Sequence, residues 1–214
     1  LTDVAYLREM NVLADRMKKR GVGVVTLSEH LFPGYAVTID NCAATRDLAE
    51  YLIRLGHRDI GMICGPSGLN ATLLRTKGYC QALQAAGIPF DPARVISGDF
   101  RYQGGIRAVE QFCAAGPLPS AILAQNDEMA IGAMVALKQH GLRIPADVSL
   151  VGFDDILATQ YVDPALTTIQ VPLHEMGAMG MRQLLRLLNG EKIEPVLWLK
   201  HTIVERQSAR PVAS

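Results

Sequence analysis

One stretch decides the fold class: residues 121–155, AILAQNDEMAIGAMVALKQHGLRIPADVSLVGFDD. It opens with a short apolar run, continues with helical periodicity over 127–140, and closes with a second apolar run at 148–152. Runs that are apolar at every position indicate strands that are buried on both faces. A strand, a helix and a second strand joined by short connections predict a βαβ unit within a parallel sheet.

The same alternation of strands and helices continues along most of the chain. The predicted strands lie at 22–27, 60–64, 94–97, 121–124 and 148–152. The predicted helices lie at 3–20, 42–55, 69–86, 102–115, 127–140 and 172–189. Extended segments are expected at 166–171 and within 196–208. This order predicts an α/β fold with a parallel sheet and helices on both of its faces.

The composition is typical of a globular protein, at 49% hydrophobic and 20% charged residues. Lys and Arg together number 21, as do Asp and Glu, so the formal net charge is zero. This balance argues against a domain that wraps nucleic acid by charge alone. No apolar run is long enough to predict a membrane span. The four cysteines form no C-x-x-C pair, which favours free thiols in a reducing compartment.

Polar and aromatic side chains follow the predicted strands, where an open α/β sheet binds its ligands. They are Arg75, Phe100, Asn126, Asp127 and Asp154. Arginine donates hydrogen bonds, asparagine donates and accepts, and aspartate accepts. The hydroxyls of a polyol need both donors and acceptors, and its C–H face packs on an aromatic ring. The set therefore suits a sugar or a nucleoside.

Each of these residues also has a simpler interpretation. Asn126 and Asp127 are the residue types that cap helix N-termini. Phe100 fits a hydrophobic core, Arg75 fits a surface charge, and Asp154 fits a solvated acidic turn. The prediction of a ligand site depends on all of these candidates following strand ends.

Enzyme motifs are absent from the sequence. There is no G-x-S-x-G, no G-x-x-x-x-G-K-[ST], and no G-x-G-x-x-G that opens a helix. The five histidines do not cluster, and none falls at metal-ligand spacing near a cysteine. We therefore expect no catalytic residue, metal or cofactor. An acid/base pair formed by Asp154 and Asp155 is the enzyme alternative that stays open.

Five stretches resemble the lac repressor/gal repressor family of bacterial transcription regulators, in that family's order and spacing. They are residues 38–66, 75–88, 98–105, 124–155 and 163–177. The combination of NDEMAIGAM, VSLVGFDD and LTTI is close to diagnostic. The resemblance implies a type I periplasmic-binding-protein-like fold, with two doubly wound parallel-sheet subdomains that flank an effector cleft and are joined by three crossover strands.

The resemblance also implies the boundaries of the subdomains. An incomplete N-terminal subdomain would contain 1–40 and 172–196, and a C-terminal subdomain 41–169 and 200–214. The crossovers would lie near 39–41, 169–172 and 196–200. Family members begin with a helix-turn-helix, a hinge and two βα units, none of which this sequence contains. We therefore expect part of a longer chain that neither folds fully nor binds operator DNA by itself.

The family motifs imply six effector contacts: Arg75, Phe100, Asn126, Asp154, Ser28 and Gln170. Ser28 stands where the family usually has an acidic contact, a departure that weakens the case for a standard hexose. Gln170, on a crossover, is a lesser candidate. Of the two aspartates of FDD, we expect Asp154 to face the ligand and Asp155 to serve the loop.

The resemblance further implies a cytoplasmic homodimer that senses a sugar, a sugar derivative or a nucleoside. Its interface candidates are Ile131, Met134, Tyr161 and Val162, although Ile131 and Met134 equally fit the subdomain core. Effector binding would then change operator binding by an N-terminal head that this sequence lacks. The alternatives are a periplasmic sugar receptor of the same fold and, less favoured, a carbohydrate-active enzyme.

Overall fold

The chain divides into two units, each with its own sheet. The computed structural model describes residues 9, 12–13, 15–17, 19–27 and 34–212. The smaller unit consists of the described residues up to Asp40, Gly68–Ala71 and Val171–His201. The larger unit consists of Asn41–Ser67, Thr72–Gln170 and the described residues from Thr202 onward.

Strands and helices alternate as the sequence predicts. The strands are β1 (Val25–Leu27), β2 (Tyr35–Ile39), β3 (Ile60–Cys64), β4 (Val95–Ser97), β5 (Ala121–Ala124), β6 (Ser149–Asp154), β7 (Thr167–Gln170), β8 (Val196–Leu199) and β9 (Thr202–Val204). The helices are α1 (Asn41–Arg54), α2 (Asn70–Ala85), α3 (Tyr102–Ala115), α4 (Asp127–Gln139) and α5 (Leu173–Leu188). Short 3-10 helices cover Pro92–Arg94 and Leu157–Gln160.

Three differences from the predicted elements stand out. Strand β2 was not predicted, β1 covers only half of the predicted strand at 22–27, and β6 continues two residues beyond 152. The helix predicted at 3–20 lies partly outside the described residues, and the described residues between 9 and 19 are helical.

The sheet of the larger unit has the strand order β4-β3-β5-β6-β7-β9. All neighbouring strands are parallel except β7 and β9, which are antiparallel. Every residue of β3 and β5 is buried, as expected for apolar runs in the middle of a parallel sheet. The parallel strands therefore end at one edge, where Cys64, Ala124 and Asp154 are the last residues of β3, β5 and β6.

Helices α3 and α4 approach each other to backbone contact. A Cβ atom on Gly105 would lie 1.9 Å from the carbonyl oxygen of Met129, and one on Gly132 would lie 1.9 Å from that of Tyr102. Only glycine fits at these two positions. Around this contact lies a hydrophobic core whose large members include Phe112, Met129, Leu137 and Leu150. The contact also brings together the N-termini of α3 and α4, which Phe100 and Asn126 precede.

The sheet of the smaller unit has the order β1-β2-β8, and both pairs of strands are parallel. The prediction that strands with apolar runs are buried on both faces is wrong for this sheet. Leu27 in β1 and Trp198 in β8 are about half exposed, whereas Val37 in β2 is fully buried. An unbroken apolar run identifies a strand, but its burial also depends on what the surrounding chain places against it.

Candidate functional site

Among the described residues, three that are not glycine adopt left-handed backbone conformations, and all three lie at or just after strand ends of the larger unit. Asp154 has φ 115°, Asp155 has φ 59° and Phe100 has φ 61°. Such conformations cost about 1–3 kcal/mol each and persist where the surrounding structure enforces them. Two of the three are effector candidates from the sequence, so the strain is concentrated at the predicted site.

Arg75 lies under this edge of the sheet and is only 7% exposed. Its Nε donates to Asn41 Oδ1 at 2.8 Å, and one terminal nitrogen donates to the carbonyl oxygen of Gln125. The other terminal nitrogen lies 3.6 Å from a carboxylate oxygen of Asp154. The guanidinium also stacks on Phe153, with 3.6 Å between its central carbon and the ring centroid. Arg75 is therefore a fixed, buried cation and not a surface charge.

Asp154 is the anionic partner of Arg75 and keeps 29% of its side chain exposed. Burial raises the pKa of Asp154 to about 6, although the neighbouring Arg75 guanidinium favours the charged form and opposes that shift. The nearby Glu128 carboxylate adds to the rise. At neutral pH the carboxylate is ionised, and its exposed part is able to accept a hydrogen bond from a ligand.

Phe100 and Asn126 meet beside this ion pair. Asn126 Oδ1 caps α4 by accepting from the backbone nitrogen of Met129 at 3.0 Å, while its Nδ2 donates to the carbonyl oxygen of Phe100 at 2.8 Å. The Phe100 ring centroid is 6.0 Å from the central carbon of the Arg75 guanidinium. A Cβ atom on Gly65 would lie 2.1 Å from the tip of that ring, so the ring requires glycine beneath it. The capping interpretation of Asn126 is what the structure shows.

Gln125, a buried neighbour of Asn126, was not among the candidates from the sequence. Its Oε1 accepts from the Gly65 nitrogen at 2.9 Å, and its Nε2 donates to Thr76 Oγ1 at 3.0 Å. It thus joins the ends of β3 and β5 to α2. A polar side chain directly after the fully apolar β5 was the available signal, because a buried amide must find hydrogen-bond partners.

Asp127 was both a candidate ligand contact and a candidate cap residue from the sequence, and its side chain contacts other elements of the larger unit. Its two carboxylate oxygens accept from Thr168 Oγ1 at 2.6 Å and from the backbone nitrogen of Ile156 at 2.9 Å. Burial raises the pKa of Asp127 to about 7, against the lowering effect of these hydrogen bonds. The carboxylate joins α4 to β7 and to the turn after β6.

Asp155 turns away from Asp154, as expected. It forms a buried ion pair with Arg206 at 2.7 Å and accepts from Thr159 Oγ1 at 3.1 Å. Its second oxygen accepts from Gln170 Nε2 at 3.0 Å, so the Gln170 amide is held inside the larger unit. Ser28 lies outside the described residues. The structure therefore brings Arg75, Phe100, Asn126 and Asp154 together, and gives Gln170 a supporting contact.

The chemistry available at this edge is recognition by hydrogen bonds and stacking. The described residues contain no group of three His, Cys, Asp or Glu side chains that could hold a metal ion. The four cysteines are all unpaired thiols. Within the part of the chain that the structure describes, no helix is long and apolar enough to span a membrane.

Residues 49–209 match the model of the periplasmic binding protein-like domain, which is most of the larger unit and much of the smaller. The chain belongs to this family. The predicted resemblance to lac repressor/gal repressor regulators is also confirmed. The chain's relatives by sequence are named transcriptional repressors. The solved structures that it resembles are regulators of the LacI family.

Over the aligned residues, the relatives are between 34% and 40% identical to this chain. The HTH-type transcriptional repressor CytR of Escherichia coli K12 is 40% identical over 157 residues, which are 73% of this chain and 46% of that repressor. The CelR–cellobiose complex has a TM-score of 0.87 at 33% identity, over 92% of this chain and 62% of that one. The lac repressor dimer bound to operator and the anti-inducer ONPF has a TM-score of 0.85 at 30% identity, over 93% of this chain and 69% of that one. The chain spans about half the length of the curated relatives it matches.

The four interface candidates from the sequence differ in exposure. Met134 is buried in the core of the larger unit, and Ile131 and Val162 are partly buried against that core. Tyr161 is 77% exposed. The structure thus places the Met134 side chain in the core, and Tyr161 is the interface candidate with the largest exposed surface.

Proposed function

We propose that this chain is the effector-binding part of a bacterial transcription repressor. The observation that supports the proposal is the buried Arg75–Asp154 pair, beside the Phe100 ring, at the carboxyl ends of parallel strands. The effector would contact Arg75, Phe100, Asn126 and Asp154. Its binding would change the operator affinity of a DNA-binding head elsewhere in the full-length protein.

The arrangement favours a neutral polyhydroxylated effector, namely a sugar, a sugar derivative or a nucleoside. Arg75 already has a compensating anion in Asp154, and Glu128 adds further negative charge nearby. An anionic ligand that approached Arg75 would be repelled by Asp154. A hydroxyl, in contrast, accepts from the guanidinium and donates to the carboxylate at once. The structure of a CelR–cellobiose complex shows that a relative holds a neutral sugar.

The test is a calorimetric comparison of neutral compounds with matched anions on the full-length protein. Ribose is paired with ribose 5-phosphate, adenosine with adenosine 5′-monophosphate, and cellobiose with glucuronate. We expect at least one neutral compound to bind at least about tenfold more tightly than its matched anion. Bound compound should release operator DNA or strengthen its binding, and should be recovered unchanged. Tighter binding of the anions, or turnover of the compound, would overturn the proposal.

Binding is expected to weaken in acid because of Asp154. Its pKa of about 6 means that the carboxylate is charged above that pH and protonated below it. A protonated carboxyl no longer attracts Arg75 and accepts fewer hydrogen bonds. Affinity should therefore fall by up to about tenfold per pH unit below about pH 6. Calorimetry across this range checks the slope, and Asp154→Asn should bind weakly at every pH without that step.

The same proposal includes a homodimer in the cytoplasm, where operator DNA is found, and no catalytic activity. A relative is a dimer on its operator. Tyr161 and Leu157 are strongly exposed apolar side chains next to the turn that carries Asp154. Sedimentation equilibrium of the full-length protein decides the oligomeric state, and a monomer at all concentrations would exclude the dimer.

A further inference from the structure

We propose that Asp127 is a positioning residue for the effector site, because its buried carboxylate holds the turn that presents Asp154 to Arg75. This inference rests on the proposed function only in that it takes the site to bind an effector. The hold on the turn stands on the geometry of the larger unit by itself. Asp127 does not touch Arg75 in this role and acts through the turn.

The first observation concerns the backbone of the turn. Asp154 and Asp155 are consecutive left-handed residues, and neither is glycine. Successive backbone N–H groups in such a turn point into one concavity that binds an anion. Here an oxygen of the Asp127 side chain accepts from the backbone nitrogen of Ile156, the residue after these two, at 2.9 Å. The buried Asp127 side chain therefore stabilises a backbone conformation that costs free energy in residues other than glycine.

The second observation concerns the surroundings of the Asp127 carboxylate. Asp127 is fully buried at the first position of α4, where the helix N-terminus favours negative charge. Thr168 Oγ1, on β7, donates to it at 2.6 Å. A Cβ atom on Gly152 would lie 2.2 Å from the same oxygen, so the carboxylate rests directly on the β6 backbone. With both strands and the helix fixed, the carboxylate sets where the turn lies.

The consequence for the site is a link from α4 to Asp154. Without the Asp127 side chain, the N–H group of Ile156 loses its acceptor, and the strained turn is free to relax towards ordinary φ values. Asp155 would stay attached to Arg206 at 2.7 Å. The residue that is free to move is then Asp154, whose oxygen lies 3.6 Å from the Arg75 guanidinium. Loss of Asp127 should therefore affect ligand affinity more than its hydrogen bonds alone predict.

The experiment compares Asp127→Ala with the parent full-length protein by peptide-level hydrogen exchange over 153–160 and by calorimetry. The calorimetric probe is whichever of cellobiose, ribose and adenosine binds the parent. Exchange in that peptide should speed up at least about tenfold, and affinity should fall at least about tenfold. Asp127→Asn keeps a side-chain oxygen that is able to accept from the turn backbone, so its affinity should lie within about threefold of the parent. Asp127→Ser, whose hydroxyl is too short to reach the turn, replaces the alanine variant if that variant does not fold.

Ser208→Ala is the matched control for general destabilisation. The buried Ser208 hydroxyl accepts from the Thr167 nitrogen at 2.8 Å and donates to the Leu150 carbonyl at 2.5 Å, so its loss weakens the same sheet away from the turn. We expect lower stability with parent-like affinity and parent-like exchange over 153–160. Equal loss of affinity in Ser208→Ala, or unchanged exchange in Asp127→Ala, would overturn the proposal. If no probe binds the parent, the proposed function has failed, and the exchange comparison still decides whether Asp127 holds the turn.

Discussion

Replacing Gly132 with valine is expected to lower the free energy of unfolding of the larger unit by about 3 kcal/mol or more. The new side chain begins 1.9 Å from the carbonyl oxygen of Tyr102, an atom of the helix backbone that cannot rotate away. Helices α3 and α4 would have to separate, which opens the core around Phe112 and Met129. Urea unfolding of the full-length protein, followed by circular dichroism, measures the loss.

Gly177 provides the matched control, because it also lies in a helix. A Cβ atom on Gly177 would meet no described atom within 4 Å. Gly177→Ala should leave stability unchanged or raise it by up to about 1 kcal/mol, since alanine favours helices more than glycine does. If Gly132→Val were as stable as Gly177→Ala, the backbone contact between α3 and α4 would be wrong.

Replacing Arg75 with methionine is expected to affect both stability and binding. It leaves Asp154 without its cation, and Asn41 Oδ1 and the Gln125 carbonyl without a donor. Breaking a buried pair from one side costs about 3–5 kcal/mol, and we expect the lower end because Asp154 is partly exposed and is able to take up a proton. Effector affinity should fall about 100-fold, the effect of losing hydrogen bonds from a charged group.

Arg46→Met is the control for Arg75→Met, since both remove an arginine from a helix of the larger unit. The pair of Arg46 and Glu50 spans 3.9 Å on the surface of α1, with both side chains about two-fifths exposed. Such pairs contribute about 0.5 kcal/mol or less. Thermal unfolding and calorimetry of both variants test the contrast, and a parent-like Arg75→Met would remove Arg75 from the proposed site.

Much of the site was predictable because parallel strands share an edge. Arg75, Phe100, Asn126 and Asp154 follow different strands, and the rule for open α/β sheets places them together without any knowledge of distances. Local sequence also gave most element boundaries, since Gly56, for instance, ends α1 with φ 93°. The alternative interpretations at single positions needed the structure: Asn126 is a cap, and Met134 belongs to the core.

The remaining features depend on partners that are distant along the chain. Asp127 meets Thr168 across 41 residues, and Gln125 meets Gly65 across 60. A single sequence carries no signal for such pairs, because it shows only that a buried polar group needs some partner. Strand β2 was missed for a different reason: its sequence, YAVTI, is neither an unbroken apolar run nor a strict alternation of polar and apolar residues.

The left-handed backbone at Asp154 also limits which residues evolution or a laboratory library can place there. Asparagine, aspartate and glycine reach such φ values most readily, whereas valine, isoleucine and threonine are strongly disfavoured. A change of ligand preference at this position is therefore restricted to a few short side chains, whatever the new ligand requires. A randomised library at Asp154 should return mostly Asp, Asn and Gly among folded clones, so that new specificities would have to arise at neighbouring positions with ordinary backbone geometry.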